Sequence, residues 1–260
     1  VVFTGFIHRN SSKGRLSVLK VWRISDFGGY MFNVVVDNAA SLPQAIPWIE
    51  PSINNLHLES SYSFLVGNYE CAIYSTCALL EHVLRLALVN DVECGLRRPE
   101  SIKQIDKFSS LEQVVLAASG KSIFSGCDVD WWHAVAKNIR NKSAHYLLPL
   151  MLKKCANEPK LSKYIIDYDQ PYNNNATYYD KYITDWGSFY HKAGRYLAGR
   201  LLSDATVEIL KIIGNTKWQG DSSWWISQKD VYERFFNYSW TEENILESFR
   251  SAHTEFANHA

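Results

Sequence analysis

Asp130-Trp131-Trp132-His133-Ala134-Val135-Ala136-Lys137-Asn138-Ile139-Arg140-Asn141-Lys142-Ser143-Ala144-His145-Tyr146 is the stretch from which the fold is read. Trp131, Val135 and Ile139 recur every four residues, the spacing of a helix with one buried face. Asp128 or Asp130 stands where a cap is needed to satisfy the first free amides, so a helix is expected from there to about Leu148. On a helix turning about 100° per residue, Asn141 and His145 share a face. Arg140 lies about 140° round from His145. Its long side chain can swing back over that face. An imidazole, a carboxamide and a fixed positive charge then surround one spot. Such a set suits a phosphodiester: one group moves a proton, one holds an oxygen, and one stabilises developing negative charge.

Working outward, the run from about Leu58 to Val89 is mostly apolar at helical spacing, with Leu65, Tyr69, Ile73, Leu80, Leu84 and Leu88 as its stripe. Gly67 weakens the run and is expected to mark a break between two helices. Glu81 sits inside the second part, and its functional reading is an ion pair that orients the Arg140 guanidinium. Asn90, Asp91, Gly95 and Pro99 end the run.

Arg140-Asn141-x-x-x-His145 resembles the signature of the HEPN superfamily (higher eukaryotes and prokaryotes nucleotide-binding domains), in which an arginine, often followed directly by asparagine, precedes a histidine by a few residues. In that family a long earlier helix packs on the motif helix and often turns an acidic or polar residue toward it; Cys77 to Leu88, with Glu81, is similar to that helix. The resemblance covers roughly residues 57 to 213. It implies a metal-independent endoribonuclease that uses the 2′-hydroxyl of RNA and needs no cofactor. Arg140, Asn141 and His145 would be the catalytic residues, with Glu81, Lys142 and Tyr146 in support. It further implies a homodimer whose two motif helices form one cleft, RNA as partner, and a role in bacterial toxin or anti-phage defence, with a cognate antitoxin. In a toxin branch of the family a tyrosine stands two places after the histidine; Leu147 holds that place here, so regulation through it does not carry over. The alternative within the same resemblance is a non-catalytic module that binds nucleotide or RNA, or that dimerises.

Composition narrows the classes. Lys plus Arg balances Asp plus Glu, 27 against 27, so no global basic field draws in nucleic acid, and RNA contact needs a local patch. Two copies of Arg140 and Lys142 in a dimer cleft would supply one. Five cysteines, at 71, 77, 94, 127 and 155, form no Cys-x-x-Cys pair, which argues against a zinc site and a secreted disulfide framework. Reduced thiols and a cytoplasmic location are expected. The most apolar runs carry Glu81, His82 and Arg85, so no membrane span is expected.

The expected class is mainly α: a HEPN-like helical bundle over residues 51–215, preceded by a short β-hairpin and followed by a helical extension over 216–260. The hairpin is read from two β-rich runs, Leu16 to Ile24 and Tyr30 to Val36, joined by Ser25-Asp26-Phe27-Gly28-Gly29. With a proline-rich connector that holds Pro43 and Pro47 and leads to Pro51, it fills residues 1–50, and it is expected to pack on the helical body, to pair with a partner, or to be the end of a larger N-terminal domain. Trp186 to Ile213 is expected to close the bundle as a long helix with Leu197, Leu201, Val207, Leu210 and Ile213 on its stripe. Residues 157–183, polar and rich in tyrosine and asparagine, are expected to be a loop that could lie over the site.

Overall fold

The computed structural model describes residues 24–90, 103, 107–141, 148–165, 190–218 and 226–259. The regular structure among them is helical: α1 (Ile24–Ala39), α2 (Pro51–Leu65), α3 (Tyr69–Asn90), α4 (Leu111–Ala118), α5 (Val129–Val135), α6 (Leu148–Ala156), α7 (Arg195–Asn215), α8 (Ile226–Asn237) and α9 (Glu242–His259). A π turn, Ala136–Arg140, continues α5, and another, Tyr190–Gly194, leads into α7.

The hairpin is corrected. Tyr30 to Val36, read as its second strand, lies inside α1. The first run lies outside the described residues except for Ile24, which opens α1. Local propensity favours a strand here, because Val34-Val35-Val36 is β-branched. Tertiary packing overrides it. Val35 is buried with Leu65 of α2 and Ile245 of α9, and Phe32 meets Phe249 edge to face at 5.9 Å. Asn38, buried one turn later, donates from Nδ2 to the carbonyls of Phe64 (2.8 Å) and Leu65 (3.3 Å). It thereby ties α1 to the last turn of α2.

Helices α2 and α3 pack against each other, and the expected break between them falls at Gly67, where φ is +80°. A Cβ there would stand 2.8 Å from Val34 Cγ1. Gly67→Ala therefore combines left-handed strain of about 1–2 kcal/mol with that clash. The expected loss is roughly 2 kcal/mol, read by urea unfolding, and Val34→Ala should recover part of it. An unchanged midpoint would mean that the turn relaxes freely.

The core lies between α3 and its neighbours. Ile73, Cys77, Leu80 and Leu84 of α3 are buried, as are Leu197, Leu201, Leu202, Ala205, Ile209 and Ile212 of α7. Val207, expected on the α7 stripe, is 49% exposed. The buried face of α7 runs through 201, 205, 209 and 212, so position 207 turns outward. By length and composition α3 passes for a membrane-spanning helix; here it is the central helix, and 61% of its most apolar window is buried.

Two clamps fix α5. Asp128 caps it as expected, accepting from the Trp131 amide at 3.1 Å. The Trp131 indole donates to Tyr164 Oη (2.6 Å), whose hydroxyl donates to Asp204 Oδ2 of α7 (2.6 Å). The Trp132 indole donates to Glu208 Oε2, one turn further along α7, at 3.0 Å. Residues 204 and 208 share a face, so α7 holds both indoles at once.

Beyond residue 215, α8 also packs into the main core. Tyr232 is buried, and its hydroxyl lies 2.9 Å from His57 Nδ1 of α2. Thr241 caps α9, accepting from the Asn244 amide at 3.3 Å.

Candidate functional site

The sequence points to Arg140, Asn141 and His145, supported by Glu81, Lys142 and Tyr146. Arg140, Asn141 and Glu81 are described; Lys142, His145 and Tyr146 lie outside the described residues, as does the 166–183 part of the expected loop. The helix bearing the motif is as expected at its start, with Trp131, Val135 and Ile139 all buried.

The π turn then changes the geometry. Its wider ladder adds a residue to the turn, so residues on either side no longer follow α-helical spacing. Ile139 stays in the core while Arg140 comes out beside α3. Asn141 follows it, exposed.

Glu81 stands opposite. Its Oε2 is 3.5 Å from Arg140 Nε, and its Oε1 accepts from Arg85 at 2.8 Å (Nη2) and 3.2 Å (Nε). One carboxylate thus bridges two guanidinium groups. Arg85 is braced in turn, donating from Nη2 to the Phe108 carbonyl at 2.5 Å. The Glu81 side chain is 16% exposed and that of Arg140 26%, so this charge cluster is partly shielded from water. The Arg140 guanidinium also lies 5.7 Å from the Tyr74 ring centroid, a cation–π distance.

Tyr74 and Arg85 were not singled out by the sequence reading. The signal was present: Tyr74, Glu81 and Arg85 are spaced seven and four apart, a polar stripe along an otherwise apolar helix. The chemistry of this arrangement is that of a positioned cation. Glu81, itself held by Arg85, and the Tyr74 ring restrict Arg140, so little ordering is needed when an anion meets it.

Other reactive groups fit structural roles. Among the described residues no group of His, Cys, Asp or Glu is arranged to hold a metal ion. Burial, with the Glu208 carboxylate next in order, pushes the Cys127 thiol up to about 12. Burial likewise pushes the Cys155 thiol up to about 12. Neither is a thiolate at neutral pH. His133 lines an open groove with Glu112, Asp130, Lys137, Glu158 and Lys160, away from the Arg140 cluster.

Comparison of the chain with protein-family models, with curated proteins and with solved structures finds no match in any of the three.

Proposed function

We propose that this chain is a metal-independent endoribonuclease, with Arg140, Asn141 and His145 as its catalytic residues. The observation that carries the reading is the Glu81 carboxylate set between Arg140 and Arg85, which holds a guanidinium at the end of the motif helix. Arg140 is the cation that a phosphorane-like transition state needs.

In this reading the 2′-oxygen attacks the adjacent phosphorus as His145 takes its proton. The bond from phosphorus to the 5′-oxygen breaks, and that oxygen receives a proton from a second acid, His145 of a second copy. The products are a 2′,3′-cyclic phosphate and a 5′-hydroxyl. Asn141 holds a nonbridging oxygen or positions the imidazole, and Lys142 adds charge beside it. A homodimer joins two motif helices into one cleft, and a defence or toxin role follows from the same resemblance.

The test is cleavage of a labelled RNA in EDTA, with a DNA copy of the substrate as control. The parent is expected to cut the RNA alone and leave cyclic phosphate ends. Arg140→Ala and His145→Ala should each lose about 100-fold or more, the scale of losing one transition-state contact. Glu81→Gln, which removes the charge that holds Arg140 and Arg85 but leaves the catalytic side chains in place, should lose less while retaining RNA binding. Equal cutting by parent and variants would place the activity elsewhere. No cutting, with RNA binding that depends on Arg140, would favour the non-catalytic binding module.

A further inference from the structure

A cavity of about 520 Å³ opens on the face of α7 turned toward α2, well away from the Glu81–Arg140 cluster. Lys192, Arg195, Tyr196 and Arg200 line one wall, with Ser203 beyond them and Phe64 of α2 opposite. Gly194, in the same turn as Lys192 and Arg195, packs on Tyr69 at the start of α3. Glu81 is twelve residues further along that helix, roughly 18 Å at 1.5 Å per residue.

The lining has an uncommon charge pattern. It carries three cationic side chains and two serine hydroxyls, Ser41 and Ser203, and none of the described residues lining it is a carboxylate. Arg195 and Arg200 form no ion pair among the described residues.

Two of these groups are already held in place. Arg195 Nη2 donates to the Asp37 carbonyl near the end of α1, which anchors the guanidinium at the rim. The Arg200 guanidinium lies 5.4 Å from the Tyr196 ring centroid, so a flat cation rests over a flat ring. A planar base can extend such a stack. Gly199 keeps α7 close to α2: a Cβ there would stand 3.1 Å from the Phe64 ring and would push the ring aside by a few tenths of an ångström. The volume is that of a small-ligand site and larger than one phosphate requires.

We infer that this cavity binds a nucleoside phosphate, with its phosphates at Lys192, Arg195 and Arg200 and its base against the Tyr196–Arg200 stack. The ligand is a free nucleotide or a nucleotide within a single strand. The inference does not depend on cleavage at Arg140.

Calorimetry on the full chain in EDTA tests it, with ATP, adenosine, tripolyphosphate and a ten-nucleotide RNA as separate probes. ATP or the RNA is expected to bind, tripolyphosphate more weakly than ATP, and adenosine weakest. Arg200→Ala and Lys192→Ala should each weaken binding about tenfold, as the loss of a charged hydrogen bond does. Ser203→Trp, which fills the cavity without changing its charge, should abolish binding while the melting temperature stays near that of the parent. Arg140→Ala should bind ATP like the parent, which separates this site from the proposed catalytic one. RNA binding that Lys192→Ala and Arg200→Ala weaken, without ATP binding, would assign the ligand to a strand; ATP binding without such RNA binding would assign it to a free nucleotide. Equal affinity for tripolyphosphate and ATP would overturn the nucleoside assignment. Binding indifferent to Arg200, Lys192 and Ser203, or no binding of any probe at millimolar concentration, would overturn the site.

Discussion

Glu208→Ala is expected to lower the unfolding free energy by about 3 kcal/mol and the melting temperature by roughly 6–12 °C. Glu208 is 6% exposed, and its Oε2 accepts from the Trp132 indole and from the Asp128 amide, both at 3.0 Å. Removing the carboxylate strands two donors, one of them buried in the core, and each stranded donor costs about 1–3 kcal/mol. The partner charge adds little, because Lys211, 2.5 Å from Oε1, is 38% exposed and turns to water when released. Lys211→Ala leaves the carboxylate its indole and amide donors and should therefore cost less than Glu208→Ala, and the contrast between the two variants separates the buried donors from the ion pair. Glu208 also carries consequences for the motif. Asp128 is the cap of α5, so the same carboxylate that holds the Trp132 indole sets where the helix leading to Arg140 begins. Thermal unfolding of both variants decides the matter. A loss in Glu208→Ala no larger than in Lys211→Ala would show that α5 is held by apolar packing alone.

Acidification from pH 7 to pH 5 is expected to cost on the order of 2 kcal/mol of stability through His57 alone, and about 3 kcal/mol by pH 4. His57 is fully buried between Tyr232, Thr206 and the Phe236 ring, which stacks on it at 4.8 Å. The hydrogen bonds choose its tautomer. Thr206 Oγ1 donates to the Leu202 carbonyl at 2.9 Å, so it accepts from His57 Nε2–H at 3.2 Å. Nδ1 then accepts from the Tyr232 hydroxyl at 2.9 Å, and that hydroxyl accepts from the Ile46 amide at 2.9 Å. The neutral ring is satisfied at both nitrogens. Burial pulls the imidazole down from 6.5 to about 3. The folded value lies below the unfolded one, so below pH 6.5 the unfolded chain binds a proton that the folded chain does not. Stability is full above pH 6.5 and falls as the pH drops toward 3. At pH 5 the cost is insensitive to the folded value, because any value well below 5 leaves the native ring neutral. Denaturant unfolding at pH 7 and pH 5 measures the effect. In His57→Gln, which keeps a donor and an acceptor without the titration, the slope of stability against pH should flatten by about one proton. A variant with the parent's slope would sink the assignment.

This network has a further consequence for the fold. Ile46 comes from the proline-rich connector, His57 from α2, Thr206 from α7 and Tyr232 from α8. A lone histidine in an apolar run and a tyrosine in a C-terminal helix carry no local sign that they meet. They are 175 positions apart, and only the folded chain brings them together.

How much of this was legible from sequence varies with the range of the forces involved. Helix positions followed from apolar spacing, and the Gly67 break and the Asp128 cap followed from local backbone chemistry. The facing of Glu81 toward Arg140 was reachable because both lie on periodic helices and one resemblance pairs them. The bridging role of Arg85 and the ring of Tyr74 were readable as a stripe but not as a contact. The π turn has no signature in residue type, since a widened ladder is a compromise between packing Ile139 inward and letting Arg140 reach α3.

Sequence by itself determined the mainly helical class, the buried stripes and the caps, because these depend on interactions within a few residues along one chain segment. Tertiary structure decided that Tyr30 to Val36 is helix, because burying Phe32 and Val35 against α9 outweighs the strand preference of three adjacent valines. It also decided the basic cavity on α7, since charges spaced along one helix become a site only when α2 and the end of α1 close around them.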